Sequence, residues 1–287
     1  MNMRNNRAIV AAITFGAIAM LTAWADVSLA ADKKSGGSRF GDILGGLGTL
    51  AGGLMPIGYE EEQSLGQAIS LQVVARFGGT LEKPELVRYV NLVGQAVALT
   101  SDRPDIPYHF AVLKDDSINA FAAPAGYVFV TNGLLKQVHN EAELAAVLGH
   151  EIAHVSQKHI LEVIQRSKQL AGVSQAGLAA AKQNPQAFKN IIDTAVKKLL
   201  DEGLDQDKET EADALGDVFA ARVGYDPTAY LPLLTRLQTL KGDDPAFFKT
   251  HPNFSVRIDA VQNSIQSHGL KTNGVLLAER FARRSTD

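Results

Sequence analysis

The sequence predicts an α+β fold, mainly helical, with a small β-sheet beside its most apolar helix. Three observations predict it. Apolar residues recur at helical spacing in most segments between 60 and 269. Alternation of apolar with other residues is confined to a short stretch around 108–131. No internal repeat is visible, and no tail outside that body is long enough for a second domain.

Order is expected to begin at Glu60, where Leu65, Ile69, Val73 and Phe77 share a helical face. Acidic residues crowd the first turn of this helix, and Gly78-Gly79 ends it. Pro84 opens a second helix with Leu86, Val90, Val93 and Val97 on one side. After the "RPDIP" break, Tyr108, Phe110 and Val112 alternate as a strand. Past the "KDD" turn, "INAFAAPAGYVFVTNG" reads as two short strands about Pro124-Ala125-Gly126. Asn140 and Glu143 form a capping box for a helix running to about Arg166. The Ala-, Gln- and Lys-rich segment 171–200 reads as a helical hairpin broken near Asn184-Pro185. A helix over about 208–223 stops at Gly224, and Asp226-Pro227 starts the next. A last helix follows Ser255 and ends near Gly269.

Length and composition set the outer bounds. The 287 residues can bury a real core, and 46% hydrophobic with 21% charged content is ordinary for a globular chain. A net charge of −3 gives no general attraction to nucleic acid or anionic lipid. There is no cysteine, which excludes disulfides, thiolate ligands, a cysteine nucleophile and a lipidated N-terminal cysteine. Any metal must be held by His, Asp or Glu. No G-x-S-x-G elbow supports a serine hydrolase.

The N-terminus carries Arg4 and Arg7, an apolar run from about Ala8 to Trp24, and then Ser28-Leu29-Ala30. This is the three-part layout of a secretory signal peptide, with cleavage expected after Ala30. A retained anchor is the competing reading, but the run falls short of the roughly 20 residues that span a bilayer. The Gly-rich, apolar stretch 35–58 reads as a flexible arm.

"AAVLGHEIAHVSQKH" spans 145–159 and contains His150-Glu151-x-x-His154. On a helix, residues four apart lie about 6 Å apart along the axis, so both imidazoles can aim at one point. Zinc takes nitrogen at roughly 2.0–2.1 Å, and a catalytic site keeps one position for water. Glu151 would then stand beside that water as its base. A helix with one solvated polar face is the bland alternative. The apolar neighbours Val147, Leu148, Ile152, Ala153 and Val155 argue for burial instead, and buried polar groups need partners. "KETEADALGDVF" supplies Glu209 and Asp213 on one helical face, which Glu211 does not share. One of that pair can bind metal while the other accepts a hydrogen bond from a ligand histidine. His159 falls on another face and reads as structural; His109, His139 and His268 have no supporting pattern.

These residues sit within a larger resemblance. "EEEQSLGQ", "NAFAAPAGYVFVTNGLL", "ELAAVLGHEIAHV", "ETEADALG" and "HPNFSVR" occur in the order found in the M48 zinc metallopeptidases. The resemblance covers roughly 60–267. That family includes periplasmic proteases of outer-membrane maintenance and, on membrane-embedded scaffolds, the CAAX prenyl protease and a heat-shock inner-membrane protease. The resemblance implies a zincin-like (gluzincin) fold and one zinc ion held by His150, His154 and Glu209. It gives Glu151 the role of base and places Asp213 on a ligand histidine's other nitrogen. Asn119-Ala120-Phe121 resembles the edge strand that pairs with substrate backbone. His251 matches a histidine that in some relatives is a regulatory fourth ligand or steadies the transition state, and Arg257 matches the arginine after it. Spanning helices, a lipoprotein cysteine and a C-terminal helical-repeat domain are not carried over. Substrate choice is expected from the cleft or from 171–200.

The expected organisation is a signal peptide at 1–30, a Gly-rich arm at 31–58, an M48-type domain at 59–270 and a tail at 271–287. The expected function is a periplasmic or secreted zinc endopeptidase acting on misfolded exported or outer-membrane proteins. No nucleic-acid partner is expected, nor membrane association through a spanning helix of the mature chain. Two competitors remain: a chaperone-like binding protein on the same scaffold, and a zinc hydrolase of non-peptide amides.

Overall fold

Tyr59–Arg76 (α1) buries Leu65, Ile69 and Val73 and carries Glu60, Glu61 and Glu62 in its first turn. These elements come from a computed structural model that describes residues 57–170, 185–240, 250–251 and 253–285. The expected signal peptide, nearly all of the Gly-rich arm and the first half of the 171–200 hairpin lie outside the described residues. Among the described residues, no helix is long and apolar enough to cross a membrane.

Pro84–Ala98 (α2) buries Leu86, Val90, Val93 and Val97, the face that the spacing predicts. The sheet has three strands, His109–Leu113 (β1), Ala120–Ala123 (β2) and Tyr127–Thr131 (β3), in the order β1-β3-β2. β3 runs parallel to β1 and antiparallel to β2, which leaves β2 as an edge. A tight turn at Pro124–Gly126 joins β2 to β3, with Ala125 at φ 62° and Gly126 at φ 91°. Glu62 holds this turn. Its buried carboxylate accepts from Ala125 N at 3.0 Å and from two nitrogens of Arg103 at 2.8 and 3.0 Å. Gly66 completes the contact, because a Cβ there would lie 2.1 Å from the Pro124 carbonyl oxygen. The motif "EEEQSLGQ" is thus a clamp that sets the edge strand.

Asn132–Leu135 (α3) follows β3, and Glu141–Ser156 (α4) then runs beneath the sheet with every residue buried. Asn140 caps α4 by accepting from Glu143 N at 2.9 Å. Glu143 reaches back to His139 N, one residue earlier than a strict capping box requires. The helix expected to continue to about Arg166 ends sooner. Lys158 adopts φ 61°, and a separate helix, His159–Leu170 (α5), starts in a new direction. Pro185–Lys197 (α6) is the described arm of the expected hairpin.

Gln206–Val223 (α7) makes the most extensive helix contact, against α4. The two cross where Gly149 meets Gly216. A Cβ on Gly216 would lie 2.4 Å from His150 N, and one on Gly149 would lie 2.5 Å from the Gly216 oxygen. Asp226 caps the turn into Tyr230–Thr239 (α8), and Phe254–Ser267 (α9) packs across α7 and α8. The described part of the expected tail, residues 271–285, packs onto the rest of the domain. Val275 bridges Tyr225, Leu276 O accepts from Ala142 N, and Ala278–Ser285 (α10) buries Phe281. The reason is Glu141, a buried carboxylate that needs donors and finds Tyr89, Tyr225 and Arg280.

Candidate metal centre

Helices α4 and α7 cross at a glycine pair, so the residues just beyond the crossing are forced together. His150 and His154 point their Nε2 atoms at each other, 3.0 Å apart. Glu209 approaches from α7, with oxygens 3.6 Å from His150 Nε2 and 3.6 Å from His154 Nε2. The three donors lie within 4.8 Å of one another, and all three residues are buried. Donors held tetrahedrally at roughly 2.0–2.1 Å from one ion would lie about 3.4 Å apart, so the spacing suits zinc. Glu209 Oε1 is buried with no hydrogen-bond partner. A partnerless carboxylate oxygen among imidazole nitrogens is the environment a cation satisfies.

Each histidine is fixed from behind. His150 Nδ1 donates to Asp213 at 2.9 Å, which leaves its Nε2 lone pair facing the centre. Asp213 is gripped by Arg257 through bonds of 2.8 and 2.7 Å and by the Tyr230 hydroxyl at 3.2 Å. Arg257 also donates to Tyr230 at 2.8 Å, so its guanidinium lies behind His150 and serves the Asp213 carboxylate. His154 Nδ1 meets His159 Nδ1 at 2.7 Å. Sequence periodicity puts His159 on another face, but the break at Lys158 turns it back onto His154. Glu211, off the Glu209–Asp213 face as expected, stands 3.3 Å from the far nitrogen of His159.

His251 enters from the segment before α9. Its Nδ1 donates to Glu209 at 2.9 Å and its Nε2 faces the Ala120 carbonyl at 3.4 Å. Ala120 and Phe121 belong to β2, the edge strand, and the Asn119 side chain just before it accepts from Ala120 N at 2.9 Å. Narrow clefts flank this point. Val147, Leu234 and Leu237 line one, Phe121, Leu199 and Leu204 line the other, and both share Ala120, Glu151 and His251.

Charge follows this wiring. Burial pushes the Glu209 carboxyl up, but His251, through its charge and hydrogen bond, and then His154 and His150 outweigh it and hold the group at about 2. Burial also opposes ionisation of Asp213, and Arg257 with His150 overrides it, keeping the carboxyl well below the usual range. Burial lowers His251, yet the Glu209 carboxylate raises it above an ordinary histidine. Glu151 is raised, chiefly because it is fully enclosed. His154 is pushed well down by burial and by the neighbouring His150.

Asp217, one turn beyond Asp213, is a different case. Both of its oxygens are buried without a partner, and burial with the charges of Asp213 and Asp226 raises it to about 8. A carboxyl raised from 3.8 to about 8 binds more protons folded than unfolded between those values. Stability is therefore lost as pH climbs through that window. Asp217→Asn is expected to raise the melting temperature at pH 8 by ~5 °C more than at pH 5. Equal gains at both pH values in thermal denaturation would refute the assignment.

Tyr230 was not visible as a site residue in the sequence. Its only signal is the cap and proline at Asp226-Pro227, which start the segment carrying it under Asp213.

The chain is similar in sequence to known proteins. The description "Peptidase family M48" fits residues 84–265. The chain is 30% identical over 265 residues to the beta-barrel assembly-enhancing protease of Escherichia coli (strain K12), covering 89% of this chain and 50% of that one. The protein of the same name from Yersinia pestis is 29% identical over 77% of this chain and 47% of its own length. The mitochondrial metalloendopeptidase OMA1 of Schizosaccharomyces pombe is 30% identical over 61% of this chain and 51% of its own. The chain spans about half the length of these curated relatives. With the family match covering well over half of the sequence, this chain belongs to peptidase family M48.

Proposed function

We propose that this chain is a zinc-dependent endopeptidase that acts on misfolded exported or outer-membrane proteins. The observation that carries the reading is the convergence of His150 Nε2, His154 Nε2 and the orphaned Glu209 Oε1 beside the enclosed carboxylate of Glu151. His150, His154 and Glu209 would hold one zinc ion. When bound, the ion supplies a Lewis acid that lowers the pKa of water to about 7 and polarises a carbonyl. Glu151 takes the proton from the attacking water and returns it to the leaving nitrogen. An extended substrate adds to the free edge at Asn119-Ala120-Phe121 and places apolar side chains in the two clefts. Similarity to two beta-barrel assembly-enhancing proteases supports a role in the quality control of outer-membrane proteins. Export with cleavage near Ala30 places the protein in the periplasm or outside the cell.

His251 fits a regulatory role, with Arg257 supporting the site from behind. Its ring sits on Glu209 and beside the Ala120 carbonyl, where the substrate strand would run. The alternative role for this pair is transition-state stabilisation.

The test is metal analysis of the full chain with casein cleavage, with and without a chelator. About one zinc per chain is expected, with cleavage lost on chelation and restored by zinc. Cleavage that persists after complete metal removal would sink the reading. In the same assay His251→Ala is expected to preserve or raise activity, whereas severe loss with zinc retained would favour the transition-state role.

A further inference from the structure

We infer that His159 is a positioning residue that fixes the tautomer of His154, within a directed hydrogen-bond chain ending on Glu211. The inference rests on the zinc reading of His154. Three distances carry it: His154 Nε2 to His150 Nε2, 3.0 Å; His154 Nδ1 to His159 Nδ1, 2.7 Å; His159 Nε2 to Glu211, 3.3 Å. His159 is 1% exposed, so water does not compete for the inner bond.

The chain has only two polarities when both rings are neutral. In one, His154 Nδ1–H donates to His159 Nδ1, and His159 Nε2–H donates to the Glu211 carboxylate. His154 Nε2 then carries a lone pair toward the centre. In the other, His159 donates inward, His154 holds its proton on Nε2, and that nitrogen cannot ligate. A carboxylate oxygen 3.3 Å from His159 Nε2 is an acceptor, so Glu211 at the outer end selects the first polarity. Lys208 stands 3.7 Å from Glu211, a donor on the far side of the same carboxylate. Asp213 does the same for His150 directly, at 2.9 Å. On its Nδ1 side His154 meets a ring where His150 meets a carboxylate, so it is served through His159. The left-handed Lys158 is what delivers that ring, since an uninterrupted helix would carry His159 away.

The test compares three substitutions by zinc affinity in competition with a chromophoric chelator, alongside melting temperatures of the metal-free chains. Asn places an oxygen where Nδ1 stands; Gln places its amide where Nε2 stands; Phe fills the space with no acceptor. His159→Phe and His159→Gln are expected to bind zinc ~10–100-fold more weakly, and His159→Asn within about threefold of wild type. A purely space-filling role would rank Gln, nearer in size, above Asn, and that order would overturn the inference. Should the variants not fold, nitrogen NMR of histidine-labelled, zinc-loaded wild type decides. A proton on His154 Nδ1 and on His159 Nε2 supports it, and a proton on His159 Nδ1 overturns it. A wild type that binds no zinc would instead remove the reading on which all of this stands.

Discussion

Glu151→Gln is expected to lower kcat on an unfolded protein substrate by ~10²–10⁴-fold, the usual contribution of a general base. Zinc affinity should stay at its wild-type value, and the melting temperature should not fall. Glu151 is 2% exposed on a helix whose every residue is buried, and glutamine has the same shape. The substitution removes a buried charge, so folding gains nothing from keeping the acid. What the carboxylate alone offers is a place for a proton, and its enclosure already raises its pKa toward the range where a base works best. A binding or chaperone-like protein on this scaffold would be indifferent to the change. Activity within about tenfold of wild type, measured with zinc loaded, would show that another group takes the proton.

Much of this site was legible because its signals are local or additive. The i, i+4 spacing of His150 and His154 holds on any helix, and the apolar neighbours announced that this helix is buried. Glu209 and Asp213 share a face for the same reason. Where the chain breaks its own period, reading by period fails. Lys158 at φ 61° has no composition signal, since lysine is not a residue that marks left-handed turns. One residue in that conformation moved His159 from an unrelated face to the back of His154. The C-terminal stretch failed for another reason. Nothing in 271–287 looks like core, but Glu141, over a hundred residues away, needs the Arg280 side chain to be tolerated in the interior. Long-range satisfaction of one buried acid leaves no trace in a local window. Glu62 is the converse case: its motif was visible, and only the turn it clamps explains why an acid is conformationally required there.

Gly216→Ala is expected to damage the centre without touching any of its polar groups. In an ordinary helix interior this change is favourable by about 1 kcal/mol, because alanine loses less entropy on ordering. Here the new methyl would stand 2.4 Å from His150 N and 2.5 Å from the Gly149 carbonyl carbon, and both are backbone atoms that cannot swing aside. Forced overpacking costs about 1–3 kcal/mol, so the balance turns against folding. The larger consequence is geometric. Relief requires α4 and α7 to separate next to His150, which opens the 3.6 Å gaps to Glu209 and the 2.9 Å bond to Asp213 together. A displacement of ~1 Å at a reacting centre can cost 10²-fold in rate, and a loss of that order is expected on casein. Zinc affinity should fall in parallel, which distinguishes this variant from Glu151→Gln. Gly58, where a Cβ meets nothing within 4 Å, provides the control, and Gly58→Ala should be silent in both assays. If Gly216→Ala kept full zinc affinity and full turnover, the helix crossing would not be what brings the imidazoles and the distal carboxylate together.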